Sequence, residues 1–125
     1  NDYKALAPQM PEIKAEQYTL EFANRDTWNE GVNDDARKGF QVLKLFKEYG
    51  FEGEIGIGVS DVHVNEIEPP ELIRDRILYA AKALDDPTKV YVNPDCGLRT
   101  RTREVSFDKI RSIVKGAELA RKEIK

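Results

Sequence analysis

Three short apolar runs are each followed at once by residues able to do chemistry: Glu21 after Tyr18-Thr19-Leu20, Asp61 and His63 after Ile55-Gly56-Ile57-Gly58-Val59, and Asp95 and Cys96 after Val90-Tyr91-Val92. A carboxylate, an imidazole and a thiol are the ingredients of a zinc site or of a thiol and acid-base centre. The chain has one His and one Cys, and both fall in this set. Taken residue by residue, other readings stay open. A lone Cys also serves as a small buried apolar group, a lone His as a satisfied surface or core group, and a Glu at a strand end as a solvated charge. No Cys-x-x-Cys or His-x-x-x-His pair anchors a metal locally.

The elements that must position these groups are readable from period. Gln17-Tyr18-Thr19-Leu20-Glu21-Phe22 is short and rich in β-formers, and the polar stretch from Ala23 to Asn33 reads as a loop. From Asp34 or Asp35 the spacing of Ala36, Phe40, Leu43 and Phe46 predicts a helix closed by Gly50. Glu54 to Val62 predicts a buried strand in which Gly56 and Gly58 permit close approach. Pro69 and Pro70 open a second helix with Ile73, Ile77, Ala81 and Leu84 on one face. Lys89 to Asn93 is a third strand. A polar loop then leads to a last helix whose stripe is Phe107, Ile110, Ile113, Val114, Ala117 and Ala120. The first residues, with Tyr3, Leu6, Met10 and Ile13, read as a helix or loop left over from a preceding unit.

Strands alternating with helices imply an α/β fold with parallel pairing, in which functional groups gather at the carboxyl ends of the strands. A closed eight-unit barrel needs about 250 residues. At 125 residues with three βα units, the expectation is a partial TIM (β/α)8 barrel, its last three βα units, with a small open α/β sandwich as the alternative.

Composition narrows the function classes. Twenty Lys and Arg against 23 Asp and Glu give a formal charge of -3, which offers no general attraction to nucleic acid or to an anionic membrane. No apolar stretch approaches the roughly 20 residues that cross a bilayer, and the first residues are not a signal peptide. One cysteine makes no internal disulfide, so a cytoplasmic location fits best. The absence of an initiator Met points to a fragment or processed product.

Three stretches carry a resemblance: Leu20-Glu21-Phe22, the run from Glu54 to His63 with its Gly-x-Gly-Val-x-Asp-x-His pattern, and Asn93-Pro94-Asp95-Cys96-Gly97-Leu98. In this register they resemble the C-terminal catalytic barrel of cobalamin-independent methionine synthase and its shorter core homologues. The resemblance spans residues 1–125 and implies the C-terminal part of that barrel with its N-terminal part absent. It implies that Glu21 and Cys96 are zinc ligands and that His63 is the general acid protonating the departing methyl carrier. A His-x-Cys pair that supplies the family's other two ligands, just upstream of the region resembling Asn1-Asp2-Tyr3, is not in this chain. The activity implied is methyl transfer to the thiol of homocysteine, making methionine. The donor is methyltetrahydrofolate or, as in the shorter homologues, a methylcorrinoid.

Asp61 lies two residues before His63, on the same strand face if the strand continues, where it could orient the ring; capping a loop is its other reading. Asn24 and Arg25 share the rim and could meet a substrate carboxylate. Arg99, Arg101 and Arg103 could attract an anionic tail such as a glutamylated folate, although a solvated loop suits them better. Trp28 reads as a loop anchor packed on the sheet, with a lid or stacking residue as the other possibility. Two further readings of the whole chain stand beside the first. One is an inactive half-barrel that must self-associate or meet its missing half to cover exposed sheet edges. The other is a related zinc-dependent transferase acting on another thiol.

Overall fold

The computed structural model describes residues 3–9, 12–13 and 15–124. Its centre is a parallel three-stranded sheet of order β1-β2-β3, with β1 Gln17–Leu20, β2 Glu54–Ser60 and β3 Val90–Pro94. The helices α1 (Val42–Glu48), α2 (Pro70–Leu84) and α3 (Arg103–Ile124) follow the strands in turn. The expected βα cadence is therefore present three times.

Ile55, Ile57 and Val59 of β2 are fully buried in one cluster with Leu43 and Phe46 of α1, Ile73, Ile77 and Leu84 of α2 and Ile113 of α3. Side chains alternate across a strand, so Gly56, Gly58 and Ser60 turn to the other face. There a Cβ on Gly56 would stand 2.7 Å from Asn93 Oδ1, which explains the glycine. Gly58 pairs with Asn93 but Ser60 with Pro94, so β2 carries a bulge at Val59.

The carboxyl ends of β1 and β2 come earlier than the sequence pattern suggests. β1 stops at Leu20 because Glu21 N–H donates to the Tyr3 hydroxyl and the Phe22 and Ala23 amides donate to the Asp95 carboxylate, not to a ladder. β2 stops at Ser60 because Asp61 N–H donates to Glu68 Oε2. The helix expected from Asp34 starts only at Val42, after a 3-10 turn at Lys38–Phe40. Local bonds explain the delay: Asn33 Oδ1 accepts from Ala36 N–H, and the buried Arg37 is spent on the Ala36, Thr27 and Asn29 carbonyls. Gly50 does close α1, with φ at 84°.

α2 follows the pattern closely: Pro69 caps it, Pro70 opens it, and Ile73, Ile77, Ala81 and Leu84 are all buried. α3 does not. Its buried residues are Lys109, Ser112, Ile113, Gly116 and Ala120, whereas Phe107, Ile110 and Val114 are exposed at 62%, 45% and 51%. Gly116 decides the rotation, since a Cβ there would collide with Ile73 of α2. Near the start of the chain, residues 3–9 form turns; Ala7 is buried and Tyr3 packs edge-on against Phe22, while Leu6 and Ile13 face solvent. Met10 lies outside the described residues.

Candidate functional site

Because the strands are parallel, their carboxyl ends form one rim, and the loops leaving it carry the residues singled out above. Glu21 follows β1 directly, with its side chain about one-third exposed. It faces His63, whose Nε2 lies 3.6 Å from Glu21 Oε1 and whose side chain is 63% exposed. Two groups from different strands thus meet in a solvent-accessible place. Cys96 follows β3 and is exposed, its thiol unpaired in any disulfide.

Asp95, next to that cysteine, is buried and reaches across the sheet. Its Oδ1 accepts from the amides of Phe22 at 2.9 Å and Ala23 at 3.0 Å, and its Oδ2 accepts from Asn24 at 2.8 Å. Its own N–H donates to Ser60 O at 2.9 Å. Burial pushes the Asp95 carboxyl up to about 6, against the three amides that pull it down. The side chain passes over Gly58, where any Cβ would stand 2.8 Å from Asp95 Cα and closer still to Oδ1.

The loop carrying His63 is held from below by another buried carboxylate. Glu68 accepts from Ser60 Oγ at 3.0 Å and from Asp61 N–H at 2.7 Å, and pairs with Arg76 Nη1 at 3.1 Å and Lys109 Nζ at 3.4 Å. Arg76 also pairs with Asp26 at 2.9 Å, and Asp26 with Arg37 at 3.3 Å. All five of these charged side chains are buried. They link the β1 loop, the β2 loop, α2 and α3 into one layer beneath the rim.

Asp61 does not share a strand face with His63, because the strand has already ended; its Oδ1 accepts from the backbone N–H of His63 at 2.9 Å. The loop-capping alternative is the geometry observed. Asn24 is exposed and its backbone is committed to Asp95, while Arg25 lies over the Tyr3 ring at 5.1 Å. Arg101 donates to Asn65 Oδ1 at 2.8 Å, and Arg99 and Arg103 are exposed. Trp28 is 42% exposed, so it is not buried as the loop anchor expected. Sequence reasoning placed Asp95 at the end of the third strand without a role and did not single out Glu68 or Arg76. The signal for the Asp95 crossing was a glycine at 58 in a strand otherwise packed with Ile and Val.

Residues 31–119 match the family described as cobalamin-independent synthase, catalytic domain. The chain belongs to this family. Asp61, His63 and Cys96 lie inside the matched span; Glu21 lies ahead of it. The chain is 49% identical to a methionine synthase of Thermoplasma acidophilum over 91% of its own length and 34% of that protein. It is 35% identical to a methionine synthase of Saccharolobus solfataricus, covering 99% of itself and 33% of that protein. It therefore spans about a third of the length of the curated relatives it matches. Its fold superposes on part of a B12-independent methionine synthase from a Shewanella species, crystallised with selenomethionine. The TM-score is 0.74 at 24% identity, covering 98% of this chain and 31% of that one.

The chemistry of the rim suits a shared zinc site. Glu21 and Cys96 are accessible donors of types that zinc accepts. Among the described residues, however, no three His, Cys, Asp or Glu side chains stand together as a metal-holding group. A tight zinc site takes three or four protein ligands, more than the Glu21 and Cys96 pair supplies by itself.

Proposed function

We propose that residues 1–125 form the C-terminal part of a methionine synthase-like catalytic barrel, its last three βα units. In this reading the enzyme is a zinc-dependent methyltransferase that moves a methyl group from methyltetrahydrofolate, or a methylcorrinoid, to the thiol of homocysteine. The observation that carries the reading is the meeting of Glu21 and His63 at the strand ends of a chain of this family, with Cys96 exposed just beyond the third strand.

Zinc, when bound with Glu21 and Cys96 among its ligands, supplies the charge that ionises a coordinated thiol near neutral pH. The remaining roles belong to this chain's own side chains. His63 holds a proton on Nε2 beside Glu21 and delivers it to the leaving nitrogen of a folate donor. Asp61 fixes the His63 backbone through its N–H and so limits where the ring can swing. Glu68 keeps the same loop closed from the buried side. A cytoplasmic setting suits this chemistry. Among the described residues no helix is long and apolar enough to cross a membrane.

The test is a chimera in which this chain replaces the matching third of the Thermoplasma acidophilum methionine synthase. His63→Asn should retain homocysteine and zinc binding but lower turnover about 100-fold or more, the scale of general acid catalysis. Unchanged turnover would remove His63 from the mechanism.

A second reading, that the chain alone is inactive until it self-associates or meets the rest of a barrel, is favoured by its surface. Among the described residues the sheet order leaves β1 and β3 each with one unpaired edge, and Phe107, Ile110 and Val114 of α3 are exposed to solvent. A wild-type chimera that turns over while the separate chain does not is the expected result for both readings together.

A further inference from the structure

Glu21 and Cys96 follow the two outer strands, so all of β2 lies between them. Nothing in their own side chains fixes that separation. Asp95 does: it stands beside Cys96, crosses β2 and ends on the amides of Phe22, Ala23 and Asn24, the three residues after Glu21. Two features of β2 make the crossing possible. Gly58 has no Cβ to block the side chain, and the bulge at Val59 sets Pro94 opposite Ser60, from which Asp95 N–H takes its bond to Ser60 O. Three amides converging on one buried carboxylate are charge-assisted bonds, and these are the stronger class of hydrogen bond.

We infer that Asp95 is a positioning residue that sets the spacing of the Glu21 and Cys96 donor pair by strapping the β1 loop to the β3 loop across Gly58. The inference rests on reading Glu21 and Cys96 as donors to one metal, and it goes beyond that reading by naming what holds them in register. Groups that orient metal ligands typically matter about 10- to 100-fold in metal affinity.

The experiment is Cd(II) binding to the Thermoplasma acidophilum chimera described above, followed by the thiolate-to-metal charge-transfer absorbance, with this chain's part unsubstituted or carrying Glu21→Gln, Asp95→Asn or both. Asp95→Asn is close to isosteric but turns an N–H2 group toward one of the three amides. We expect Asp95→Asn to weaken Cd(II) binding about tenfold when Glu21 is present and less than about twofold in the Glu21→Gln background. That non-additivity is something a general loss of folding does not produce. Equal weakening in both backgrounds, or none in either, overturns the strap while leaving the donor pair intact. Unchanged affinity in Glu21→Gln itself overturns the paired-donor reading and the inference with it. Should Asp95→Asn not fold by circular dichroism, Asp95→Ser, which opens the amides to water, takes its place in the same cycle.

Discussion

The rim and the layer below it use the same kinds of residue in opposite ways. Glu21, His63 and Cys96 are all reachable from solvent, with one Glu21–His63 contact at 3.6 Å among them. Asp26, Arg37, Glu68, Arg76 and Lys109 are withdrawn from water and pair with one another, with Arg37 Nη1 left without a hydrogen-bond partner. Charges in the lower layer are committed to holding loops, since an ion taken out of water must be compensated where it sits. Those above are free for a ligand. Function and stability should therefore separate between two sets of side chains only a few residues apart in sequence.

The sharpest break of that contrast is Glu68→Ala. It leaves Lys109 and Arg76 with one fewer buried carboxylate, and should cost about 3–5 kcal/mol in a urea unfolding measurement. A cost below about 1 kcal/mol would mean that water reaches the layer. At the rim the same measurement should find little: Cys96→Ser and His63→Asn, both at exposed positions, should each stay within about 0.5 kcal/mol of wild type. A large loss there would place the rim in the scaffold after all. The smallest effect belongs to an exposed pair, Asp34 and Lys44. Lys44 and Tyr79 hold the Asp34 carboxyl below its ordinary value of 3.8. The folded chain therefore binds that proton less tightly than the unfolded one, and the contribution is present at neutral pH and fades as pH falls below 3.8. Asp34→Asn should flatten that acid limb of the stability profile and leave the rest unchanged.

What was legible in the sequence followed local period. Ile55, Ile57 and Val59 announce a buried strand, and Pro70 with Ile73, Ile77, Ala81 and Leu84 announces α2, because each signal lies within a few residues of what it specifies. The ends of the strands also placed Glu21, His63 and Cys96 beyond the apolar runs, where they are found. The face of α3 was read correctly only at Ile113, Ala117 and Ala120, because its contact is centred on Gly116 against Ile73, and polar Lys109 and Ser112 turn inward to Glu66 and Glu68, carbonyl oxygens included. A hydrophobic stripe cannot reveal a helix face selected by a glycine and the hydrogen bonds of two polar side chains. Arg76 and Asp26 are 50 positions apart, and Asp95 and Phe22 are 73 apart. Such partners are chosen by topology, so no window along the chain displays them. Asp61 fell between the two cases: its capping bond is local, but it became visible only once the strand was seen to end at Ser60.

The Tyr3 hydroxyl accepts the backbone N–H of Glu21 at 3.0 Å, and its ring carries Arg25. The beginning of the described chain is thereby seated beside the chemistry, whereas α3, at 22 residues, leads away from the strand ends for about 30 Å.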